Sequence, residues 1–312
     1  MQFRQLRYFV KIIEAGSFSR AASIVHVAQP ALSQQVAELE ERLGVALLQR
    51  SARGVRPTAA GEILYKEAAA ILHQLDQLPG VVRSNSGEPE GMVSLGIMSS
   101  LAPKFVGGIL EECRSRMPKV TLRVTDGSSL GLEGRIASST VDIAIIYEDE
   151  FATPLMRKPL FIQKLFLISA EPPPNAKDVI SLERVAELPL VLPGPSRGRR
   201  RELIERTFAG ARLTPTVALE ADSLASEMWA VQNKVGFAIV PVGDVSHFGA
   251  GAFAKPVLIE PAMQMTCSIV HSGGLPLTTA GEALRDFLIG FIERRIRQPD
   301  MPGTEWIAAD ST

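Results

Sequence analysis

Amide and hydroxyl side chains near the start of one predicted helix are best suited to recognition chemistry. The segment reads QPALSQQVAELE, and its outward side carries Gln29, Pro30, Ser33 and Gln34. No carboxylate occurs on this side before Glu38. Short side chains of this kind can enter a major groove and exchange hydrogen bonds with base edges. The spacing therefore indicates a helix that reads double-stranded DNA.

A short basic hairpin is predicted directly after this helix. Its arginines are Arg50, Arg53 and Arg56, and Gly54 suits the tip of the hairpin. Guanidinium groups beside an outward-facing helix would reach phosphates or the minor groove. A helix pair followed by such a hairpin predicts a winged helix-turn-helix.

A merely solvated surface is the alternative interpretation, because helix pairs with tight turns are common. The charge distribution favours DNA binding. Residues 1–60 contain eight basic and four acidic residues, a net charge of +4, whereas the whole chain of 312 residues has a net charge of −1. The remainder is therefore acidic, which predicts a DNA-binding head on a body with a different role.

Apolar periodicity predicts the elements that position this recognition face. Ser17 is a suitable N-cap for a helix that extends to about His26, and Pro30 suits the first turn of the next helix. The predicted buried positions are Phe3, Leu6, Phe9, Val10 and Ile13 on a first helix, and Leu32, Val36, Leu39 and Leu43 on the recognition helix.

A longer helix is predicted after Thr58, which can cap it. Its apolar positions alternate at four and three residues and form a heptad seam of Leu64, Ala68, Ile71, Leu75 and Leu78. Such a seam predicts pairing with a second copy of the chain, and packing against the chain's own body is the alternative. Pro79 predicts that the helix stops or kinks there, before a polar linker at 84–91.

From residue 92 onward, strand-like runs alternate with helical stretches, which predicts parallel sheets covered by helices. Two lobes with crossings near 161–166 and 265–270 fit this length better than one large sheet, and they would enclose a cleft. The tail after Gln298 contains Pro and Gly and is expected to be loose. The predicted strands lie at 93–97, 121–126, 142–147, 164–169, 190–193, 216–221, 237–241 and 266–272, and the predicted helices near 101–117, 130–139, 199–209, 224–234 and 279–296.

The sequence contains none of the catalytic motifs that an enzyme of this size would show. The histidines His26, His73, His247 and His271 lie on separate segments, and neither HExxH, a nucleophile elbow nor GxGxxG occurs. Cys113 and Cys267 lack metal or redox spacing, so buried thiols in a reducing compartment are expected. The chain also lacks a signal-peptide core and any apolar run of about 18 residues. We therefore expect a cytoplasmic protein that is not an enzyme, with no metal, cofactor or membrane partner.

The segment GSFSRAASIVHVAQPALSQQVAELEERLGVALLQRSARGVRPTAAGE resembles the amino-terminal domain of LysR-type transcriptional regulators. The rest is similar in layout to their effector-binding domain, and QPALSQQVAELE and VDIAIIYE resemble the nitrogen assimilation control branch. The resemblance implies a winged helix-turn-helix head, a long linker helix and a two-lobed, periplasmic-binding-protein-like α/β domain. The expected boundaries are 1–58 for the head with the helix-turn-helix at about 18–37, 59–83 for the linker helix, 84–91 for a hinge, 92–298 for the effector domain (lobe I 92–162 and 268–298, lobe II 163–267) and 299–312 for the loose tail.

The resemblance also implies partners and contacts. Gln29, Pro30, Ser33 and Gln34 match family positions that touch bases, and Arg53 matches the residue that reaches the minor groove. Many relatives have Arg or Lys at position 34, where Gln would prefer adenine and Arg guanine. The implied assembly is a homodimer or a dimer of dimers on DNA, and RNA polymerase is a further candidate partner.

A small, often anionic effector is the second ligand that the resemblance implies. Hydroxyls and free backbone donors at helix starts favour a carboxylate or another anion, whereas simple helix capping is the alternative for each serine. The family architecture would bring together Ser99, Ser100, Ser128 and Ser129 from lobe I and Ser196, Arg197 and Ser223 from lobe II. Arg199, Arg200 and Arg201 would form either a solvated face or a contact with an anionic effector or a partner subunit.

Two other functions would use parts of this sequence. An enzyme would need the motifs that are missing above. A transport-type binding protein would use a two-lobed cleft, but it would need a signal peptide and would have no use for residues 1–60. A regulator that binds DNA and senses a small molecule uses every segment.

Overall fold

The chain folds into a helical head, a long linker helix and an α/β body. The computed structural model describes residues 1–51, 54–83, 88–148, 155–174, 178–194, 198–249, 251–274, 276–299 and 301–307.

Three helices and a two-stranded wing form the head. They are α1 Phe3–Ala15, α2 Phe18–Ile24, α3 Gln29–Leu43, β1 Leu48–Ser51 and β2 Gly54–Pro57. Gly16 ends α1 in the left-handed region at a φ of 62°, and the Ser17 Oγ accepts a hydrogen bond from the Arg20 N. β1 and β2 pair antiparallel, as the basic hairpin predicted.

Most of the predicted apolar face of the head is buried in one core. Leu6, Phe9, Val10, Leu32, Val36 and Leu39 are all buried there. Phe3 and Leu43 are 56% and 41% exposed instead, since they lie in the end turns of α1 and α3, beyond the neighbouring helices. Ile12 is fully buried although the periodicity did not select it.

The linker helix α4, Ala59–Arg83, continues through Pro79. The sequence predicted a stop or a kink at this residue, and the predicted stop is wrong. Proline removes one hydrogen-bond donor and crowds the carbonyl four residues before it, which weakens the helix locally without ending it here. The turn that follows is supported by close packing on the body, because a Cβ on Gly80 would lie 2.9 Å from the Glu90 O. Thr58 caps the helix as predicted, accepting from the Gly61 N at 3.0 Å.

The heptad seam predicted on α4 is divided between two faces. Of the seam residues, Ala68 is buried in the core of the head and Leu64 packs against it, while Leu72, which the seam did not include, is buried beside them. The alternative of packing within the chain itself therefore holds for this part, and the packing partner is the head. The large apolar residues of α4 that are exposed are Ile63, Ile71, Leu78, Val81 and Val82.

The body contains two groups of strands that share the long strand β6, Leu155–Ile168. Lobe I contains β3 Gly91–Met98, α5 Ala102–Arg116, β4 Val120–Gly127, α6 Ser129–Ala137, β5 Ile143–Tyr147, β12 Gln264–Ser272, α11 Thr279–Ile296 and β13 Thr304–Trp306. Lobe II contains β7 Val179–Ser181, α7 Leu182–Ala186, β8 Leu190–Pro193, α8 Arg199–Gly210, β9 Val217–Ala221, α9 Leu224–Gln232, β10 Phe237–Pro241, α10 Val242–Val245, a 3-10 turn Ser246–Phe248 and β11 Val257–Glu260.

The predicted parallel pairing occurs in both lobes, and antiparallel strands between them make the sheet mixed. β3 is parallel to β4 and β5, and β8 is parallel to β9 and β10. β6 and β12 run antiparallel to their neighbours, because they carry the chain between the lobes. The strands follow the order β4-β3-β5-β12-β6-β10-β8-β9, so that β6 joins both lobes in one hydrogen-bonded sheet.

The described part of the carboxyl-terminal tail is packed, so the expectation of a loose tail is wrong for residues 301–307. β13 pairs with β6, with Trp306 opposite Phe161. Met301 is 3% exposed, and Trp306 packs against the body core. Burial of these apolar side chains offsets the entropy lost on ordering the segment.

Cys113 and Cys267 are buried and are not joined to each other, as the sequence predicted. No helix within the described ranges is both long and apolar enough to cross a membrane.

Candidate nucleic-acid interface and effector cleft

The amino-terminal turns of α3 present the predicted recognition residues at the surface of the head. Gln29, Pro30 and Gln34 are exposed, and Ser33 is half-buried beside them. The buried stripe on the opposite side of α3 fixes this orientation. The N-cap Ala28 provides no side-chain cap for the first turn of α3.

Backbone contacts fix the wing on the head. The Val55 N donates to the Gly16 O at 3.0 Å, and a Cβ on Gly54 would lie 2.7 Å from that oxygen. The Glu40 carboxylate accepts from the Leu47 N at 2.7 Å and from the Leu48 N at 3.1 Å. The wing therefore has a defined position relative to α3.

The three wing arginines differ in their surroundings. Arg56 is exposed on β2. Arg50 lies over the Phe18 ring, 4.3 Å from its centroid, and donates to the Ser33 Oγ at 3.1 Å. Arg50 thus braces the wing against α2 and α3, a role that the sequence did not indicate. Arg53 lies outside the described residues.

A carboxylate holds two amides on the recognition helix. The Gln34 Nε2 donates to the Glu38 Oε1 at 3.1 Å, and the Gln35 Nε2 donates to the Glu38 Oε2 at 2.9 Å. Gln34 and Glu38 are exposed, whereas Gln35 is half-buried. The sequence identified Glu38 only as the first acid on this face.

The serines predicted for lobe I lie at one edge of its sheet, where the Ser99 N donates to the Gly127 O at 3.0 Å. The Ser128 Oγ caps α6 by accepting from the Gly131 N, and the Ser99 Oγ donates to the Asp126 Oδ2 at 2.7 Å. Helix capping thus accounts for Ser128. Ser129 is buried with its Oγ 2.7 Å from the Met98 Sδ.

Ser100 differs from these serines, since its Oγ is buried without a hydrogen-bond partner of normal geometry among the described residues. The N-cap of α5 is Leu101 rather than a serine. Capping therefore does not account for Ser100.

The lobe II predictions have mixed outcomes. Ser223 caps α9 by accepting from the Ser226 N at 3.1 Å, and Ser196 and Arg197 lie outside the described residues. Each arginine at the start of α8 is paired with a carboxylate: Arg199 with Glu133, Arg200 with Glu227, and Arg201 with Glu205 and Glu220. They are 14–17% exposed, so they do not form a solvated face.

The Arg199 contact bridges the lobes, because Glu133 belongs to α6. The Arg199 Nη2 lies 2.9 Å from the Glu133 Oε1, and the Arg157 Nη2 lies 3.5 Å from the same atom. The Glu133 side chain is 5% exposed. A helix of each lobe is thus fixed to the other by a largely buried ion pair.

A second polar contact between the lobes is fully buried. The Tyr147 Oη lies 2.6 Å from the Gln163 Oε1 and 3.2 Å from the Asp244 Oδ1. Burial raises the pKa of the Asp244 carboxyl to about 6, while the Ser100 hydroxyl and the Arg200 charge oppose that rise. Burial also raises the pKa of the Tyr147 hydroxyl, and the Asp244 charge adds to this. A phenol has one proton, so protonation of Asp244 lets the carboxyl donate to Tyr147 while Tyr147 donates to Gln163.

These residues were not selected from the sequence. Tyr147 ends the apolar strand β5, and Asp244 follows the apolar strand β10. The local sequence does not show whether an acid at such a position is buried or lies in an exposed turn. The pairing arises from β5 and α10, which are almost a hundred residues apart.

Two family models match the chain. The LysR substrate binding domain matches residues 86–291, and the bacterial regulatory helix-turn-helix protein, lysR family, matches residues 3–62. The nitrogen assimilation regulatory protein nac of Escherichia coli (strain K12) is 32% identical over 308 residues, covering 98% of this chain and 99% of that protein.

Solved structures share the fold over nearly the whole chain. Full-length CbnR complexed with its target DNA has a TM-score of 0.69 at 20% identity and covers 95% of this chain and 100% of that one. A full-length OxyR variant from Pseudomonas aeruginosa has a TM-score of 0.69 at 21% identity and covers 100% of this chain and 99% of that one. The winged head and the two-lobed body therefore occur together in both, and the chain belongs to the LysR family of DNA-binding transcriptional regulators with an effector-binding domain.

Proposed function

We propose that this chain binds operator DNA as a homodimer through α3 and the wing, and that a small molecule bound between its lobes changes the geometry of the paired heads. The observation that carries the proposal is the exposed, carboxylate-free start of α3 beside a wing that is fixed in position. A supported helix start of this shape suits a major groove.

Base contacts are assigned to Gln29, Pro30, Ser33 and Gln34. Arg56 would meet the DNA backbone from the exposed face of β2, and Arg53 would enter the minor groove. Arg50 keeps guanidinium N–H groups for a phosphate while it braces the wing. CbnR, which shares this fold, has been solved with its target DNA.

Dimerisation is assigned to the exposed apolar face of α4. Ile63, Ile71, Leu78 and Val82 lie on one helix at spacings of eight, seven and four residues, and each is at least 39% exposed. Burial of this stripe against the same stripe of a second copy would remove it from water. A dimer of dimers would then span two operator half-sites, and RNA polymerase would be a further partner of that complex.

The effector is proposed to bind beside Ser100, with Ser99, Ser128 and Ser129 near it and Ser196, Arg197 and Ser223 supplied by lobe II. Support comes from two buried polar atoms: the Gln163 Nε2 has no hydrogen-bond partner among the described residues, and the Ser100 Oγ, which faces the Asp244 carboxyl, has none of normal geometry there. Ligand groups often satisfy such atoms. A small anion fits the free donors there, provided that the neighbouring Asp244 is protonated, so its binding should weaken above about pH 6.

The proposal needs no covalent chemistry, so we assign no enzymatic activity, metal or cofactor, and we place the protein in the cytoplasm with its DNA. A transport-type binding protein would share the two-lobed body but not the head.

Two measurements test the proposal. Fluorescence anisotropy of the full chain with DNA from upstream of its own gene should show specific binding that weakens steeply with salt. A thermal-shift screen with small carboxylates at pH 5.5 and 7.5 should then identify a ligand whose effect Ser100→Val abolishes while DNA binding persists. Absence of specific binding, with or without metabolite extract, would contradict the assignment to operator DNA.

A further inference from the structure

We propose that Glu38 is a positioning residue that sets the base preference of Gln34 by fixing which way its amide points. The inference rests on the proposed contact between Gln34 and a base edge. It concerns how that contact selects one base and assigns the selectivity to a side chain that itself stays off the DNA.

The Glu38 carboxylate is held at both oxygens. Gln34 donates to Oε1 at 3.1 Å from one turn before it, and Gln35 donates to Oε2 at 2.9 Å. Gln35 is half-buried, and its Oε1 is enclosed without a hydrogen-bond partner among the described residues, so the bond from its Nε2 to Glu38 is the polar contact that orients this amide. The order of support therefore runs from Gln35 to Glu38 to Gln34.

A carboxylate accepts hydrogen bonds and donates none. Reversal of the Gln34 amide would place its oxygen against the Glu38 carboxylate, where two acceptors repel. The amide nitrogen is therefore held toward Glu38, which leaves the Gln34 Oε1 and one N–H for the DNA. A glutamine without this neighbour could turn its amide over and present the donor where the acceptor stood.

The fixed orientation has a consequence for base choice. Adenine offers an N6–H donor and an N7 acceptor in the major groove, which match one amide oxygen and one amide N–H. Guanine offers two acceptors, O6 and N7, which a fixed acceptor oxygen rejects. Glu38 should therefore increase the preference of Gln34 for adenine over guanine.

The test uses the full chain and a randomised double-stranded DNA pool, followed by affinities for duplexes that differ at the selected base pair. Glu38→Gln keeps the shape of the side chain but accepts either amide orientation. We expect the preference for adenine over guanine at that pair to fall at least about threefold, which corresponds to the loss of one modest hydrogen bond.

Glu41→Gln is the matched control, because Glu41 is exposed on the same helix and loses the same charge. It should change affinity for all duplexes alike and leave the base preference intact. An equal loss of preference in both variants would show that charge alone acts, and it would overturn the positioning role.

Gln34→Ala distinguishes the positioning role of Glu38 from the proposed contact between Gln34 and a base edge. If Gln34→Ala flattens the preference at the same base pair and Glu38→Gln does not, the contact stands and the role of Glu38 is wrong. If Gln34→Ala leaves the base preference unchanged at every position, both the Gln34 contact and the role of Glu38 are wrong. An effect of Glu38→Gln that persists in the Gln34→Ala background would mean that Glu38 reads the base directly, which also overturns the inference.

Discussion

His73 Nε2 lies 2.8 Å from Asp142 Oδ1, and this contact joins the linker helix to lobe I. The side chains are 7% and 13% exposed. Gln77 donates to the same carboxylate oxygen at 2.6 Å, and the Ser94 N donates to the other oxygen at 2.7 Å. Asp142 directly precedes β5, whose far end carries Tyr147 at the junction of the lobes. A displacement of β5 would therefore reach α4 through one carboxylate.

Asp142→Ala should destabilise the protein by about 2 kcal/mol, because it leaves several enclosed donors without an acceptor. The free energy of unfolding in urea measures this. Asp76→Ala is the control, since Asp76 pairs with Arg7 at 3.1 Å while both side chains are about half exposed. An exposed pair of this kind contributes at most about 1 kcal/mol. Equal losses in the two variants would contradict a structural role for the buried contact.

Asp244→Asn should change how stability depends on pH. The pKa of Asp244 is raised from 3.8 to about 6 in the folded protein, so the folded state holds this proton more tightly than the unfolded state does. The stabilisation that this proton gives to the folded state is fully present below about pH 4 and is lost as the pH rises through 6. The loss amounts to about 3 kcal/mol, since each pKa unit corresponds to about 1.4 kcal/mol.

The measurement is the difference in unfolding free energy between the variant and the parent protein at several pH values, which cancels the other titrating groups. Asparagine has no charge to bury, so the unfolding free energy of the variant should rise relative to that of the parent protein between pH 4 and 7. A difference that stays constant over this range would show that Asp244 titrates normally.

Local patterns were enough to predict the head. Its helices each have an apolar stripe, Ser17 and Gly16 mark a boundary through their own backbone preferences, and the wing is a short-range hairpin. The heptad pattern on α4 was less informative, because periodicity shows that Ala68 and Leu78 are apolar but not which of two neighbours covers each. Ala68 faces the head and Leu78 faces solvent.

Long-range pairing explains what the sequence did not reveal. Short isolated strands such as β7, β11 and β13 have little pattern of their own, and they exist because β6 or a neighbour offers an edge. The Tyr147 contact with Asp244 likewise depends on two lobes meeting. Serines at predicted helix starts were identifiable, but only the structure separates Ser128, which caps a helix, from Ser100, which does not.

Ile71→Glu should convert the proposed dimer to a monomer without unfolding the head. Ile71 is 39% exposed on the outer face of α4, so a charge there is tolerated by the isolated chain but not inside an apolar interface. Light scattering coupled to size exclusion measures the mass. Leu72→Glu is the contrast, since Leu72 is buried in the core of the head and the charge should unfold it. A dimeric Ile71→Glu protein would place the interface elsewhere.

Arg56→Ala and Arg50→Ala should weaken DNA binding in different ways. Loss of one phosphate contact by the exposed Arg56 should lower affinity for all sequences and reduce the slope of log affinity against log salt by about 1. Loss of Arg50 should in addition lower the stability of the head, because its guanidinium packs over the Phe18 ring. Anisotropy titrations at several salt concentrations and thermal unfolding separate the two. Equal thermal stability of the two variants would contradict the proposed bracing role of Arg50.

Trp306→Ala should destabilise the body by about 2 kcal/mol, although composition alone suggested a loose tail. Trp306 lies opposite Phe161 in the pairing of β13 with β6 and packs against the core, so its loss removes apolar contacts and weakens the end of the strand. Trp229→Ala removes the same side chain from a site that is 63% exposed and should change the unfolding free energy by less than about 0.5 kcal/mol. β6 also carries Gln163 at the junction of the lobes. An unfolding free energy that Trp306→Ala leaves unchanged would contradict the prediction, because it would show that β6 is stable without the packing of β13 against it.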